Sequence, residues 1–334
     1  MKERELISLF NKIAKELHHS SLIKGIGDDA AVISLTSEDN LLVTADLMIE
    51  DIHFIRDITP PYALGYKALT ISLSDIAAMG GCPDFFTLSV GFPCLEDSYF
   101  SEFSAGLKAA SQKFRVDLIG GDTVKSEKIV VNTTVLGRVK AKKVLLRSCA
   151  QVGDIILVSG YVGDSAAGLA LLKQGIKSPD LDPLIRAHLM PEPEVLLGQC
   201  LADLDGVHAA IDLSDGIATD LAWICTQSGV GARIFEERLP ISELCVQAAN
   251  FLGLNALNWA LSGGEDYKLL FTVAPEAVSQ IKEAVFRKLQ RRLFEIGEIT
   301  DGKGTMLVTT SGEQRDITFE GYEHFRAFES HLPV

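Results

Sequence analysis

Residues 116–123 read VDLIGGDT, and residues 211–216 read IDLSDG. Both are short apolar runs, typical of strands, that lead into a turn of glycine and aspartate. The first run breaks at Gly120-Gly121 and presents Asp122, while the second opens a helix that we expect to stop near Gly229. Because a strand followed by a Gly/Asp turn occurs in each half of the chain, the sequence hints at two halves with related folds.

The segments around these turns alternate between helical and strand-like patterns. Residues 61–79 predict a helix, with Pro61 in its first turn, Gly80-Gly81 at its end and Pro83 beyond it. The other predicted helices span residues 3–17, 98–113, 164–174, 242–252 and 275–291. The predicted strands span residues 41–46, 84–92, 129–139, 154–160, 231–235, 268–273, 293–299 and 305–310. Together these patterns predict an α/β or α+β fold.

Length and composition indicate a globular protein of two domains. The chain has 334 residues, of which 47% are hydrophobic and 23% charged. We place the domain boundary in the locally basic segment 141–154, so that the domains are residues 1–145 and 146–334. The net charge of −14 argues against a surface for nucleic acid or for an anionic membrane.

The chain carries no sign of a membrane-spanning or secreted protein. It has no apolar run of 18 residues, and its charged N-terminal stretch lacks the apolar block of a signal peptide. The six cysteines are scattered, with no CxxC pair. We therefore expect a cytoplasmic protein whose cysteines stay reduced and act as small apolar residues.

Carboxylates at the ends of predicted elements are the main chemical signal. They interrupt apolar or glycine-rich runs, where a lone buried charge is costly unless it is paired or bound to a metal. A single Asp-Gly turn is more often only a turn, but so many such positions favour a shared purpose, and hard cations such as Mg²⁺ prefer oxygen ligands. The carboxylates are Asp28, Asp29, Asp46, Asp75, Asp122, Asp212, Asp215, Glu265 and Asp266.

Several catalytic motifs are missing from the sequence. There is no GxxxxGK[ST] phosphate loop; residues 163–168 come nearest, and we interpret them as a helix start whose N–H groups could hold an anion. No HExxH, GxSxG or protein-kinase motif set occurs either. Among the seven histidines we single out His53, because it follows Asp46 by seven residues in the same acidic segment.

An ordered series of motifs resembles that of the bacterial thiamine-monophosphate kinases. The series covers the chain from about residue 24 to residue 325, and although GGDT or SDG alone would be weak, the ordered set is specific. Its motifs are GIGDDAAV, TADLMIEDIHF, GYKALTISLSDIAAMGG, LIGGDT, LLRSCAQVGD, GDSAAGLALL, AIDLSDGIATDL and LSGGEDYKLLFTV, with GYEHF at the end.

The resemblance implies a two-domain fold like that of aminoimidazole ribonucleotide synthetase. The N-terminal domain would form a barrel-like sheet with a second copy of the chain in a homodimer, and an α/β C-terminal domain would complete the active site. The implied reaction is ATP-dependent phosphorylation of thiamine monophosphate to thiamine diphosphate, with several Mg²⁺ ions. An acceptor that is itself a phosphate is mostly ionised near neutral pH, so no strong general base is needed.

The resemblance also implies roles for individual residues. The implied Mg²⁺ ligands are Asp28, Thr44, Asp46, Asp75, Asp122, Asp212 and Asp215. The implied ATP contacts are Gly121, Asp122, Arg147 and Ser214, with Phe114 beside the nucleotide, and those to thiamine monophosphate are His53, Glu265 and Tyr322. We expect Asp46, Asp122, Asp212 and Arg147 to serve phosphoryl transfer directly, by holding metal ions and by adding a cation.

Two positions depart from the pattern, and two alternative functions remain. Ala45 and Phe114 stand where relatives can carry a hydroxyl group, so each loses one polar contact. One alternative is another ATP-dependent enzyme of the same superfamily, such as a selenophosphate synthetase or a hydrogenase-maturation dehydratase. Against these, no cysteine precedes Cys82 and the sequence ends in His-Leu-Pro-Val. The other alternative is a non-catalytic nucleotide-binding module, which would not need every carboxylate.

Overall fold

A computed structural model describes residues 21–24, 28–94 and 96–323. The helix predicted at residues 3–17 lies outside them. The first half of the described chain contains a six-stranded sheet with the strand order β1-β2-β3-β6-β4-β5. Its strands are β1 Leu22–Lys24, β2 Ala31–Ser34, β3 Asp39–Ile49, β4 Cys82–Phe92, β5 Asp117–Lys125 and β6 Val130–Lys140.

Two long helices accompany this sheet, α1 (Pro61–Ala78) and α2 (Asp97–Phe114). Proline at the first position begins α1, and Gly80, with a φ of 73°, follows its end, as predicted. The two helices cross closely at glycine, since a Cβ atom on Gly106 would lie 1.8 Å from the carbonyl oxygen of Tyr62. Almost every residue of α1 is buried, so this helix lies inside the molecule.

The second half contains a seven-stranded sheet with the order β13-β12-β9-β11-β7-β10-β8. Its strands are β7 Ile155–Val158, β8 Val207–Asp212, β9 Gly231–Phe235, β10 Leu269–Val273, β11 Phe294–Thr300, β12 Gly304–Val308 and β13 Gln314–Asp316. Its helices are α3 Asp164–Lys173, α4 Asp182–Leu189, α5 Val195–Ala202, α6 Ile217–Ser228, α7 Glu243–Leu252, α8 Ala256–Ser262 and α9 Val278–Leu289. No helix of the described part of the chain is long and apolar enough to cross a membrane.

Helix α1 links the two halves. One apolar cluster contains Leu73 of α1 and Val135 of the first sheet together with Leu157 and Phe271 of the second sheet. The helix also contacts β8, and its last turn carries Asp75, which lies close to Asp212 at the end of that strand. This arrangement brings Asp29 and Asp75 of the first half together with Asp212 of the second half.

Two expectations about strands are wrong. The run predicted to end at the carboxylate of Asp46 continues as β3 to Ile49, and β5 does not break at Gly120-Gly121 but runs on to Lys125. The glycine at 121 permits close strand contact instead of a turn, because a Cβ atom there would lie 1.8 Å from the carbonyl oxygen of Leu88. An aspartate is tolerated within a strand where the alternation of side chains between the two faces of the sheet points it toward a polar site.

Candidate active site

Three carboxylates from separate segments meet where the two halves touch. Asp29 precedes β2, Asp75 lies in the last turn of α1, and Asp212 ends β8. One oxygen from each of them lies within 4.8 Å of the others. Asp29 and Asp212 are buried and Asp75 is half-buried. This cluster is the centre of the candidate site.

The electrostatics of the cluster favour a bound cation. Burial, together with repulsion from Asp46, Asp212 and Asp29, raises the pKa of Asp75 well above its usual range. Burial and the charge of Asp29 likewise raise the pKa of Asp212. Because several oxygens in one small volume repel one another when ionised, a hard divalent cation is the natural partner. The donor set therefore fits Mg²⁺.

Hydroxyl groups orient two of the predicted metal ligands. Thr44 Oγ1 donates a hydrogen bond to Asp75 Oδ2 at 2.5 Å, and Ser72 Oγ donates to Asp46 Oδ2 at 2.6 Å. Ser72 also shares a hydrogen bond of 2.8 Å with Thr133 of β6. Burial raises the pKa of Asp46, which lies beside the cluster. The structure thus brings Thr44, Asp46 and Asp75 together.

Arg147 pairs with a residue of the cluster. Its guanidinium makes a two-pronged contact with Asp29, with Nε 2.9 Å from Oδ2 and Nη2 2.7 Å from Oδ1. The backbone N–H of Arg147 donates to both oxygens of Asp28 at 3.4 Å, and Lys24 Nζ lies 3.3 Å from Asp28. Burial and the charge of Asp29 raise the pKa of Asp28 to about 6. Arg147 therefore lies at the site, and its contact with ATP stays a prediction.

The SDG turn after β8 is held by a carboxylate. Asp220 of α6 accepts hydrogen bonds from the backbone N–H groups of Ser214 (3.1 Å) and Asp215 (3.2 Å). Tyr322, whose side chain is half exposed, donates its backbone N–H to the carbonyl of Asp215 at 3.0 Å. The predicted residues Ser214, Asp215 and Tyr322 thus share one side of the site.

The predicted acceptor residue Glu265 lies in a short segment against this turn. Its N–H donates to the Ser214 carbonyl at 2.8 Å. Its carboxylate contacts Lys67 and His188, and although burial raises its pKa, these neighbours and His53 lower it more, so the net shift is downward. His53 accepts a hydrogen bond at Nδ1 from the N–H of Ile49 at 3.1 Å. The structure therefore places His53 close enough to Glu265 for its charge to lower the pKa of that carboxyl group.

Asp122 and Gly121 are not brought to the cluster within one chain. The strand register aligns Asp46 with Thr133, Thr133 with Leu88, and Leu88 with Gly121. Gly121 is therefore three strand spacings, about 14 Å, from Asp46. Asp122, the next residue, lies on the opposite face of the sheet and is exposed.

Phe114 also lies away from the cluster. It follows Lys113, whose Nζ lies 3.3 Å from Tyr66 Oη in the second turn of α1. Asp75 is nine residues farther along α1, a rise of about 14 Å. The ring of Phe114 packs on the apolar cluster and against Lys113 Nζ, 5.4 Å from its centroid. Its role beside a nucleotide stays a prediction.

Sequence reasoning missed the functional placement of three residues. Asp29 joins the cluster, whereas its neighbour Asp28, assigned as a ligand, pairs with Lys24 and the Arg147 backbone. Lys67 and Asp220 carried no assigned role, although both lie inside quoted motifs. At the helix start at residues 163–168, the N–H groups of Gly163 and Ser165 donate to Asp266 at 2.7 and 3.2 Å, and the binding of an anion there stays a prediction.

Comparisons with known proteins agree with this geometry. The family described as AIR synthase related protein matches with its N-terminal domain over residues 27–139 and with its C-terminal domain over residues 151–309. The thiamine-monophosphate kinase of Buchnera aphidicola (subsp. Acyrthosiphon pisum) is 38% identical over 97% of this chain and 98% of its own length. That of Bacillus subtilis is 36% identical over 93% and 96%.

The fold agrees as well. A solved structure of AaThiL complexed with AMPPCP and TMP superimposes with a TM-score of 0.83 at 33% identity and covers 97% of this chain and 99% of that one. Similarity therefore extends over both sheets and over the segments that carry the carboxylates. The chain belongs to the thiamine-monophosphate kinases within the AIR synthase related proteins.

Proposed function

We propose that this protein transfers the γ-phosphoryl group of ATP to the phosphate of thiamine monophosphate, giving ADP and thiamine diphosphate. The observation that carries the proposal is the carboxylate cluster of Asp29, Asp75 and Asp212 between the two halves of the chain. It lies in a chain that thiamine-monophosphate kinases match over nearly its full length. AaThiL, with 33% identity, was solved with AMPPCP and TMP, which supports the same pair of ligands here.

The residues of the cluster suit this reaction. We propose that Asp29, Asp75 and Asp212 hold Mg²⁺, which would offset the negative charge of two phosphorylated substrates. Thr44 fixes the orientation of Asp75 through its hydrogen bond. Arg147 holds Asp29 in place and adds a positive charge beside the site.

The chemical step then needs no general base from the protein. An oxygen of the thiamine monophosphate phosphate attacks the γ-phosphorus, and the bond between that phosphorus and the bridging oxygen of ADP breaks. Because the second pKa of a phosphate monoester is about 6, the attacking phosphate is mostly unprotonated at neutral pH. The protein therefore contributes by positioning the two substrates and by electrostatic stabilisation.

An assay of the purified chain tests the proposal. The protein is incubated with ATP, Mg²⁺ and thiamine monophosphate, with and without EDTA, and products are followed by ³¹P NMR and chromatography. We expect thiamine diphosphate and ADP in equal amounts, only when Mg²⁺ is present, and none when unphosphorylated thiamine replaces the acceptor. Binding of ATP without any thiamine diphosphate would refute the proposal.

We further propose that the active unit is a homodimer formed through the first sheet. Strand β5 is exposed along its whole length and carries apolar side chains such as Leu118, Ile119 and Val124, each more than half exposed. An exposed apolar edge strand favours pairing with another chain, and a second copy is the occupant that the resemblance implies. The exposure of Asp122 on this strand supports a site that two chains complete.

The remaining proposals concern the domains and the compartment. We propose domains of residues 1–145 and 146–334, which is supported by the gap between β6, ending at Lys140, and β7, beginning at Ile155. We also propose that the enzyme acts in the cytoplasm. Six free cysteines support a reducing compartment.

A further inference from the structure

Lys67 is a buried lysine whose amino group lies against Glu265. Its side chain is 2% exposed, and Nζ lies 2.9 Å from Glu265 Oε1. Lysine is almost never fully buried without a partner, because burying an unpaired ammonium group costs several kcal/mol. The pair joins α1 of the first half to the segment before β10 in the second half. Lys67 is thus held to one particular carboxylate.

The other oxygen of Glu265 has a second contact. His188 Nδ1 of α4 lies 3.3 Å from Oε2, and the same nitrogen lies 3.2 Å from Ser165 Oγ. Burial and the charge of Lys67 lower the pKa of His188 to about 3, so its ring is neutral at neutral pH. Lys67 therefore supplies the positive charge against Glu265, while His188 contacts the other carboxylate oxygen as a neutral ring.

The backbone of this segment is also constrained. Glu265 and Tyr267 have φ values of 58° and 48°, a left-handed conformation that non-glycine residues seldom adopt, and Gly264 precedes them at 67°. The carboxylate of Asp266 anchors the segment to the N–H groups that begin α3. Strained backbone of this kind persists where the surroundings fix it, and it is concentrated at functional sites.

Exposure shows which member of the pair can meet a substrate. Lys67 has almost no accessible surface, whereas the side chain of Glu265 keeps 28% of its surface exposed. A ligand in the site can therefore contact Glu265 but not Lys67. Any effect of Lys67 on binding has to pass through Glu265.

We propose that Lys67 is a positioning residue of the acceptor site, which fixes the carboxylate of Glu265 so that it can receive the cationic ring of thiamine monophosphate. The inference rests on the proposed function. Helix α1 then has two roles at the same site. Its last turn places Asp75 in the metal cluster, and Lys67 in its second turn positions Glu265 in the acceptor site.

A double-mutant cycle tests the inference. Lys67→Met removes the charge and keeps the length of the side chain, and Glu265→Gln removes the opposite charge. We expect each variant to raise the KM for thiamine monophosphate about tenfold and to leave the KM for ATP within about twofold. The double variant should be no worse than Glu265→Gln alone, because Lys67 acts only through Glu265.

The control is Lys282→Met, which breaks the exposed pair with Glu295 at 2.8 Å and should change neither KM. If Lys67→Met does not fold, the double variant, which leaves no unpaired charge, still tests whether Lys67 adds anything. An unchanged KM for thiamine monophosphate in Lys67→Met, or multiplied effects in the double variant, would overturn the inference. An inactive wild type would instead overturn the proposed function and this inference with it.

Discussion

Arg147 donates two guanidinium hydrogen bonds to Asp29, at 2.9 and 2.7 Å, and Asp29 also belongs to the carboxylate cluster with Asp75 and Asp212. The same aspartate is thus shared between an internal cation and the position proposed for Mg²⁺. Both side chains are mostly buried, at 16% and 0% exposure. This sharing makes the stability of the protein sensitive to what occupies the cluster.

Arg147→Met should destabilise the metal-free protein and strengthen its response to Mg²⁺. Breaking one side of a buried ion pair costs about 3–5 kcal/mol, so we expect Tm in EDTA to fall by roughly 5–10 °C. Since no guanidinium then competes for Asp29, Mg²⁺ should raise Tm more in the variant than in the wild type. Thermal unfolding with and without Mg²⁺ measures both effects.

Arg233→Met is the matched control for this variant, because Arg233 pairs with Glu298 at a position that is much more exposed, with side-chain exposures of 40% and 36%. Exposed pairs contribute about 0–1 kcal/mol, so Tm should hardly change. If Arg147→Met kept the metal-free Tm of the wild type, the stabilising role of the Arg147–Asp29 pair would be refuted.

Asp212→Asn should lower activity and raise stability in the absence of metal. Burial and the charge of Asp29 raise the pKa of Asp212 above its ordinary value, so its negative charge is unfavourable in the folded protein at neutral pH. The amide removes that repulsion, and Tm in EDTA should rise by a few degrees, while turnover falls at least about a hundredfold. The comparison is Asp203→Asn, a half-exposed residue paired with Lys143, which should leave both quantities unchanged. Normal turnover of Asp212→Asn would exclude its metal role.

The sequence predicts most of the described helices and the identity of most site segments because local signals determine them, whereas the helices α4, α5 and α8 are not predicted. Pro61 and Gly80 mark the ends of α1, and Gly229, with a φ of 71°, ends α6 as expected. The carboxylates that interrupt apolar runs, such as Asp75 and Asp212, do meet in space. In each case a residue type that is costly in its local setting indicates why it is there.

What the sequence leaves undetermined is the direction in which the side chains of neighbouring residues point. In GIGDDAAV only tertiary packing decides that Asp29 enters the cluster while Asp28 faces Lys24. Lys67 resembles an ordinary surface charge of a helix until α1 is seen to be enclosed by the second sheet. The break predicted in β5 is wrong for a related reason. Gly121 is typical of a turn as long as the neighbouring strand, which approaches it closely, is unknown.

Stability should depend on pH through His188. Its pKa falls from an ordinary 6.5 to about 3 on folding, so between these values the unfolded chain binds more protons than the folded one. Stability from this residue is therefore lost as pH falls below 6.5, by about 2 kcal/mol at pH 5. His188→Gln should abolish that contribution.

The measurement is the free energy of unfolding of wild type and His188→Gln at pH 5 and at pH 7.5. The carboxylate cluster has the opposite sign, since raised pKa values favour protonation in the folded state, but it contributes equally to both proteins. The difference between them should thus change by about 2 kcal/mol over this range. A difference that is independent of pH would mean that His188 is not held neutral by its surroundings.

Asp122 provides a test of the dimer that uses activity as its readout. The residue is exposed and lies on the face of the first sheet opposite Asp46, so we expect it to act in the site of a second copy. Asp122→Asn and Asp212→Asn should each be inactive alone. Co-expressed with different tags, they form mixed dimers in which one site has both aspartates, so purified mixed dimers should show about half the wild-type activity.

A mass measurement confirms the dimer, and Asp212→Asn paired with Asp75→Asn is the control, because both residues belong to one cluster within the chain and should not complement. Inactive mixed dimers of the first kind would place Asp122 in its own chain's site or outside the reaction.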